Sequence, residues 1–334
     1  MLHTPSLVKI VNNSLPYKSL KESFLPVNNN AEYMSFKNVV TATIMDENEP
    51  IAFGSIIKCN EKQAYVMLGE VAERFQNKSV WIESVESENK TELVYKITKC
   101  VDLLDYSGRT LFEQIFENRD EKTVHLHLLD KLIDTAVGTE KLDNVKNITV
   151  DFERGSNCSS WRDVVGFVVS DKYLFSNVTL NRFELLALQN EQSEIVIQNV
   201  SKEKLHDIFD YDSTVSLFDR EGYLENLLNT SGVFVKIAKS NEIVSGMVVF
   251  TKNSILMCYG DNDEVQKALL AASGSEMQSG KVSMFIRNDS NNLANELLER
   301  ALETVPITRL NTRIVVNTIK WNKIACLNMG LHLY

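Results

Sequence analysis

Two histidines at two-residue spacing are the first candidates for chemistry in this sequence. His125 and His127 lie in the segment Val-His-Leu-His-Leu, whose alternation predicts a β-strand. Side chains two residues apart on a strand share a face, so the pair could serve a metal ion or act as a base. Such a pair is more often part of an edge or half-buried face, and no third ligand follows at a recognisable interval. The sequence therefore predicts no metal site.

A second candidate is the arginine pair Arg309 and Arg313, followed by Trp321. An Arg-x-x-x-Arg run before a strand could recognise a carboxylate ligand, because guanidinium groups bind carboxylates through paired hydrogen bonds. The alternative is ordinary surface charge that balances an acidic protein. Cys326 has apolar neighbours and no histidine close to it in sequence, so we expect a packed thiol and not a nucleophile.

Composition narrows the classes of partner. The chain has 334 residues, 44% of them apolar, which is enough for two domains with real cores. Its formal net charge of -10 argues against broad binding to a phosphate backbone, so we expect no nucleic-acid partner. No apolar run approaches the ~20 residues of a membrane helix, so we expect no membrane association.

The cysteines indicate a reducing compartment. All five stand singly in the sequence, without a C-x-x-C pair. An odd, dispersed set fits reduced thiols better than a disulfide framework, and the N-terminal segment lacks the features of a secretory signal. The sequence thus predicts an intracellular protein, cytoplasmic or nuclear.

Motifs of several common enzyme classes are missing. The sequence contains no G-x-x-x-x-G-K-[ST] phosphate loop, no nucleophile elbow, no H-E-x-x-H and no zinc-type cysteine spacing. This excludes P-loop nucleotide hydrolysis and the metalloprotease class on motif grounds. No repeat of 20 to 50 residues is recognisable either.

The first half opens as a meander of strands. Alternating residues on both sides of the turn Asn48–Pro50 predict a hairpin, with Gly54 in its second arm. Further strands are predicted at 64–71, 79–85, 93–101, 124–128 and 147–152, and helices at 111–116 and 129–137. The apolar density falls over 187–194, which is the predicted boundary between two domains.

The second half is organised around the stretch Tyr211–Met257. Its pattern predicts an acidic loop from Tyr211, then an amphipathic helix over 218–228 and a hairpin that contains Gly246. Around it the pattern predicts helices at 202–209, 263–273, 292–305 and 321–328, and strands at 195–200, 281–287 and 314–316. Helices that alternate with strands in this way predict an α/β (α+β) fold.

These residues resemble a known family. Phe218-Asp219-Arg220 before the helix, Gly246 in the hairpin and Leu327–Leu331 near the end are similar to the C-terminal domain of tandem GNAT-type N-acyltransferases, particularly uncharacterised sets expanded in nematodes. The likeness covers about residues 192 to 334, and the first half more weakly. It implies two GNAT-like domains, residues 1–190 and 191–334, each a mixed central sheet flanked by helices. It also implies that the C-terminal domain is a degenerate copy.

The resemblance implies acetyl-CoA as the cofactor. Proteins of this family hold its pyrophosphate on backbone N–H groups in a turn patterned Q/R-x-x-G-x-G/A at a helix start. The best register places Asp105, Gly108 and Thr110 on the motif positions, with Arg109 beside them. Only Gly108 matches, and Asp105 stands where a Gln or Arg is expected. The alternative is that Gly108 merely caps a strand-to-helix turn.

Other places for a cofactor turn fit less well. A register over 76–81 keeps Gln76 but puts Trp81 at a position that needs a small residue. In the second half, Tyr259–Glu264 has one glycine and three acidic residues, which disfavours a pyrophosphate. The resemblance therefore places any CoA site in the first half, at Gly108, Arg109 and Thr110.

Catalytic roles follow from the resemblance alone. In this family a base, often a Glu, removes a proton from the acceptor amine, and a Tyr protonates the thiolate that leaves. Glu70 on a predicted strand and Tyr106 beside the candidate turn are the residues available for these roles. Neither is fixed by a motif, and a strand Glu is commonly part of a solvated face.

Two functions remain open from the sequence. The first is an acyl-CoA-dependent N-acetyltransferase that acts on a small-molecule or protein amine, and the second is a catalytically inactive GNAT-like binding or scaffolding protein. The groove where the two central strands splay should distinguish them. A filled or acidic groove favours the binding protein, and an open groove lined by N–H donors favours the enzyme.

Overall fold

A computed structural model describes most of the chain. The described residues are 6–16, 33–46, 49–60, 63–75, 78–86, 93–102, 122–138, 146–154, 162, 166–189, 195–200, 205–216, 220–288, 292–314 and 318–327. The chain divides into two compact units. The first unit comprises Met1–Glu22, Glu32–Lys58 and Val66–Asp143, and the second comprises Ser23–Ala31, Cys59–Tyr65 and Asn144–Tyr334. The domain split expected after residue 190 stays a prediction.

Within the described ranges, strands predominate before Val124, and helices and strands are mixed after it. The strands are β1 Ser6–Pro16, β2 Tyr33–Asp46, β3 Glu49–Asn60, β4 Gln63–Val71, β5 Lys78–Glu86, β6 Leu93–Asp102, β7 Lys122–Thr123, β8 Asn147–Glu153, β9 Val169–Ser170, β10 Phe175–Asn181, β11 Val196–Asn199, β12 Phe234–Ser240, β13 Ile243–Phe250, β14 Ile255–Gly260, β15 Lys281–Arg287, β16 Glu303–Asn311 and β17 Ile324–Leu327. The helices are α1 Val124–Val137, α2 Arg182–Leu186, α3 Leu205–Val215, α4 Glu221–Leu228, α5 Asp263–Glu276 and α6 Asn292–Glu299.

The first unit is built on antiparallel pairs. β1 pairs with β2 and β6, β2 with β3, and β5 with β6 and β7. The predicted hairpin is confirmed, since Thr41 faces Ser55 and Ala42 faces Gly54 across β2 and β3. The Thr41 and Ser55 hydroxyls are buried and share a 2.8 Å hydrogen bond, which satisfies both groups inside the sheet.

The segment that contains His125 and His127 is a helix, so the predicted strand is wrong. Residues Val124–Val137 form α1, whose buried side chains include Leu128, Leu129 and Leu132. The spacing of these leucines is helical, and the short alternation at the start of the segment is overridden by it. Burial lowers the pKa of His125 to about 4, so this imidazole is neutral at pH 7. Across the described residues no group of three or more His, Cys, Asp or Glu side chains could hold a metal ion.

The second unit contains one mostly antiparallel sheet. Its strands follow the order β11-β12-β13-β14-β17-β15-β10-β16-β8, and β9 also pairs with the end of β16. A parallel bridge joins Ser254, which directly precedes β14, to Ser283 of β15. The predicted α/β class, a mixed sheet flanked by helices, is confirmed.

The predicted helix and hairpin of this stretch are confirmed, but the acidic loop predicted at its start is wrong, because Tyr211–Val215 is the last part of α3. α4 buries Tyr223, Leu224, Leu227 and Leu228, and β12 and β13 form the hairpin that follows. Asn241 and Glu242 form its turn with positive φ angles of 51° and 65°. Such angles are uncommon outside glycine, although Asn adopts them more readily than most residues.

Gly246 allows α5 to lie close against the sheet. A Cβ atom at this position would lie 2.6 Å from the Tyr259 carbonyl oxygen, 2.7 Å from Val265 Cγ1 and 2.9 Å from Leu269 Cδ1. These distances are shorter than any real van der Waals contact. The hairpin glycine singled out in the sequence is therefore a packing residue between β13, β14 and α5.

Two helices predicted near the C-terminus are corrected. The helix expected over 292–305 ends at Glu299, and β16 begins four residues later with a segment that contains β-branched residues and Pro306. The helix expected over 321–328 is instead a short 3₁₀ helix, Trp321–Lys323, followed by β17. Ile314 lies outside the strands, and residues 315–316 of the strand expected there lie outside the described residues.

Candidate functional site

The structure does not test the predicted catalytic and cofactor residues. Tyr106, Gly108, Arg109 and Thr110 lie outside the described residues, as does the helix expected at 111–116. Glu70 lies in β4, and its side chain is outside the described part of the chain. All five residues therefore stay predictions.

Residues 78–81 of the second register for a cofactor turn lie in a strand, and Gln76 and Asn77 lie outside the described residues. Lys78–Glu86 forms β5, in which Ser79 faces Val101 and Trp81 faces Lys99 of β6. Backbone N–H groups in a paired strand are engaged in the ladder and cannot form the start of a helix. Trp81 therefore does not occupy a pyrophosphate turn.

The groove between splayed central strands can be located in the second unit. β14 and β15 start side by side at the Ser254–Ser283 bridge and then separate. β17 enters the gap between them: Leu327 faces both Met257 of β14 and Phe285 of β15. Further along, Cys326 faces Cys258 across the β14 pair. The gap is filled by the chain itself.

The strand that fills the gap is fully buried. Its four residues are each no more than 2% exposed, and Ala325 and Cys326 belong to the apolar core of the second unit. Burial and the neighbouring Cys258 raise the pKa of the Cys326 thiol well above its usual range. The prediction that Cys326 is a packed thiol is confirmed. β17 is therefore part of the core and occupies the gap where it pairs with β14 and β15.

The N-terminus of α5, beside this gap, is occupied and acidic. The Asn262 side chain caps the helix by accepting a hydrogen bond from the Val265 N–H at 3.0 Å. Asp263 and Glu264 lie in the first turn, and Asp261 immediately precedes the cap. Carboxylates satisfy the positive end of the helix dipole that an anionic ligand would otherwise use. This helix start therefore disfavours a pyrophosphate.

The start of α5 is also hydrogen-bonded to the 3₁₀ helix Trp321–Lys323, which directly precedes β17. Lys323 donates to Asp261 Oδ1 at 2.7 Å, and the Gln266 carboxamide donates to the carbonyl oxygens of Gly260 and Asn322 at 3.1 and 3.2 Å. A Cβ atom on Gly260 would lie 2.8 Å from the Gln266 side chain, so the helix start packs tightly on the strand end. The place where a cofactor turn would lie is closed by direct protein contacts.

Arg220, in the segment that carried the family likeness, has a structural role. Phe218 and Asp219 lie outside the described residues. The Arg220 guanidinium is fully buried, forms an ion pair with Asp212 and donates to the Tyr259 hydroxyl at 3.3 Å. A buried charge that is paired and hydrogen-bonded holds α3, the start of α4 and β14 together.

Arg309 and Arg313, which the sequence offered as a carboxylate site, have different surroundings in the structure. Arg309 donates two 2.8 Å hydrogen bonds to Asp151 and stacks on Phe175, so its fork is already occupied. Arg313 is exposed, and its backbone N–H donates to Asn147 Oδ1. A carboxylate ligand for this arginine pair is therefore excluded by the internal partner of Arg309.

Trp321 contacts a different arginine, which the sequence analysis missed. The Arg287 guanidinium carbon lies 4.7 Å from the Trp321 ring centroid and 3.6 Å from that of Tyr173. These residues are separated by 34 and 114 positions in the chain, so no local spacing connects them. The sequence marked Arg287 only as the last residue of the predicted strand 281–287.

Comparison with known proteins gives one family match over part of the chain and structural matches over most of it. Residues 23–169 match a family model described as Domain of unknown function (DUF7596). No curated protein sequence matches the chain. Among solved structures, a candidate acetyltransferase from Pyrococcus horikoshii matches with a TM-score of 0.55 and 14% sequence identity, covering 87% of this chain and 79% of that chain.

This likeness shows a shared fold. The chain has the fold of an acetyltransferase-like protein, and at this level of identity no activity follows. Two further structures are similar to this chain with lower TM-scores, and their likeness carries no conclusion about it. A tandem GNAT protein from the clavulanic acid biosynthesis pathway is 9% identical, covers 83% of this chain and 84% of that chain, and has a TM-score of 0.44. A GCN5-related N-acetyltransferase from Kribbella flavida is 11% identical, with 81% and 59% covered and a TM-score of 0.40.

None of the helices within the described ranges is both long enough and apolar enough to cross a bilayer.

Proposed function

We propose that the protein is an acyl-CoA-dependent N-acetyltransferase in which the cofactor is held by the first half. The fold likeness, which extends over 87% of the chain, is the observation that supports this enzyme class. A fold hosts many functions, so the likeness is an argument by analogy. The filled gap and acidic helix start of the second unit support the assignment of the cofactor to the other half.

In this proposal the second unit is a degenerate, non-catalytic copy. Its β17 takes the space between the splayed strands, and Asn262 with its acidic neighbours takes the helix end. The kinship with uncharacterised nematode proteins belongs to the same proposal. The acceptor is an amine, on a small molecule or on a protein.

The proposed chemistry uses residues of the first half. Gly108, Arg109 and Thr110 would bind the pyrophosphate of acetyl-CoA. Glu70 would remove a proton from the acceptor ammonium, and the free amine would attack the thioester carbonyl. The C–S bond breaks as the C–N bond forms, and Tyr106 would protonate the departing thiolate. Acetyl-CoA and amine thus give amide and CoA.

Calorimetric titration of the whole chain with acetyl-CoA and with CoA tests this assignment. We expect saturable heat with the wild type and at least a tenfold loss of affinity in Gly108→Trp, because a bulky side chain blocks the approach of the pyrophosphate. Gly280→Trp is the matched control, since a Cβ atom at this exposed position meets nothing within 4 Å. The absence of heat and of a thermal shift at millimolar ligand would refute the proposal.

A second candidate function is a catalytically inactive binding protein, and the filled gap is the observation that favours it. If both halves have lost the cofactor site, neither CoA nor acetyl-CoA should bind. Release of free thiol from acetyl-CoA, measured across a panel of amines, distinguishes the two functions. Amine-dependent release that is lost in Gly108→Trp supports the enzyme, and no release with any amine supports the binding protein.

A further inference from the structure

A cavity of about 250 Å³ lies in the second unit where β12 begins and α5 ends. Phe234, the first residue of β12, pairs with the last residue of β13, whereas the filled gap and the start of α5 lie near the end of β14. The cavity is therefore at the opposite end of these strands. It is independent of the closed groove.

Most of the cavity wall is apolar. Six of its eight lining residues are apolar, and they include Leu205 from α3, Leu228 from α4, and Val233 and Phe234 at the start of β12. Phe234 is 43% exposed, and its ring stacks on Phe250 with centroids 5.6 Å apart. A half-open apolar wall anchored by an aromatic stack gains free energy when an apolar group covers it.

The other two lining residues, Asn199 and Glu276, form a polar end. Both hold the ammonium group of Lys236, with Nζ at 2.8 Å from Asn199 Oδ1 and 2.6 Å from Glu276 Oε1. The Lys236 side chain is only 10% exposed, while that of Glu276 is 42% exposed. The ion pair makes this end electrically neutral. The polar end therefore offers hydrogen bonds without a net charge.

The hydrogen-bond inventory defines the head group that would fit. Asn199 Oδ1 accepts from Lys236, which leaves the two N–H donors of the Asn199 carboxamide for a ligand. Glu276 Oε1 accepts from Lys236, which leaves Oε2 as an acceptor. A complementary head group must accept one hydrogen bond and donate another. It must also be uncharged, because a charged head group would compete with the Lys236–Glu276 pair.

We propose that this cavity binds a small neutral amphiphile, with a branched aliphatic or aromatic tail against the apolar wall and a primary amide head on Asn199 and Glu276. The amide carbonyl oxygen accepts from Asn199, and the amide N–H donates to Glu276. A carboxylate head cannot donate to Glu276, and an ammonium head cannot accept from Asn199. The site does not depend on acyl-CoA binding or acyl transfer.

Three probes with the same tail and different heads test the proposal: isovaleramide, isovalerate and isoamylamine. Methyl NMR of the full chain follows the resonances of Leu205, Leu228 and Val233 during each titration. We expect saturable shifts with isovaleramide and about tenfold weaker binding of the two charged probes, since each lacks one of the two hydrogen bonds. No saturable shift with isovaleramide, or equal affinity for all three probes, would overturn the proposal.

Two variants and one control tie the binding to the cavity. Val233→Trp fills the apolar wall and should abolish the shifts of the remaining methyl groups. Asn199→Ala leaves the Lys236–Glu276 pair in place and should weaken isovaleramide by about tenfold while leaving isoamylamine unchanged. Ile243→Trp, at a residue that is 72% exposed in the hairpin turn region, should bind like the wild type. Undiminished isovaleramide binding in both cavity variants would also contradict the proposal.

Discussion

The guanidinium of Arg309 is buried in the second unit with its charge fully matched. Asp151 accepts two hydrogen bonds from it and a third from the Tyr65 hydroxyl at 2.8 Å. Burial by itself lowers the pKa of Arg309, but the Asp151 carboxylate outweighs it, so the net direction is upward. The hydrogen bonds among Tyr65, Asp151 and Arg309 link β4, β8 and β16. Arg309, which the sequence offered as part of a carboxylate site, thus binds a carboxylate of the protein itself.

Removal of one member of this pair should destabilise the protein strongly. Arg309→Met leaves the Asp151 carboxylate buried without its cation, and we expect a loss of about 3–5 kcal/mol in the free energy of unfolding. Urea unfolding followed by tryptophan fluorescence measures it. The double variant Arg309→Met with Asp151→Leu should recover much of the loss, because no unpaired charge remains. A single variant within about 1 kcal/mol of the wild type would contradict this account.

The half-buried imidazole of His125 should make the protein sensitive to acid. Its pKa is lowered from 6.5 to about 4 by burial, so between these values the unfolded chain binds a proton that the folded chain does not. The contribution of His125 to the free energy of unfolding is complete above pH 6.5. It falls by about 3 kcal/mol as the pH drops to 4.

Thermal unfolding between pH 7 and pH 4 tests this expectation with a matched pair of variants. His125→Gln removes the titrating group and should flatten part of the fall in melting temperature. His206→Gln is the control, because the His206 side chain is 83% exposed. If both variants follow the wild-type profile, burial of His125 does not set the acid response.

At the scale of elements, the second unit depends on how closely α5 approaches β13 and β14. Gly246 permits this approach, and Asn262 fixes the start of the helix. The same close packing leaves the helix end no space for a bulky ligand. β17 pairs with both β14 and β15, and it therefore occupies the space between these two strands.

Enlargement of Gly246 should therefore be costly. A methyl group in Gly246→Ala would overlap the Tyr259 carbonyl oxygen and Val265, and we expect a loss of about 1–3 kcal/mol as α5 shifts. Gly222→Ala is the control: a Cβ atom there meets nothing within 4 Å, and the helix α4 should gain up to about 1 kcal/mol. Equal stability of the two variants in urea would show that α5 is not packed as described.

Sequence reasoning predicted the elements whose signals are local. The hairpin of β2 and β3, the helices α3 to α5 and the strand β15 follow from periodicity and turn residues within a few positions. The start of α1 was predicted as a strand, because apolar and polar residues alternate there before the helical spacing of the leucines becomes clear. β17 was misread because four residues carry little intrinsic preference, and its conformation is decided by β14 and β15.

The candidate site was predictable only in part. The acidic start of α5 is visible in the sequence, and the structure places Asp263 and Glu264 in the first turn of that helix. That this turn is unsuited to a pyrophosphate stays a prediction. The filling of the gap was not visible, because Cys326 and Cys258 meet across 68 positions. The partners of Arg309 and Trp321 are equally remote. Pairings of this kind arise from topology, and a single sequence carries no record of them.

For the whole molecule, we propose that the first half binds the cofactor and that the second unit is closed to it. Hydrogen exchange of the full chain, with and without acetyl-CoA, tests this most directly. We expect slower amide exchange in peptides that cover 103–121 and no change in peptides that cover 255–266. No slowing anywhere would leave the binding protein as the function. Slower exchange over 255–266 would contradict the account, because it would place the cofactor at the helix end that the structure shows to be closed.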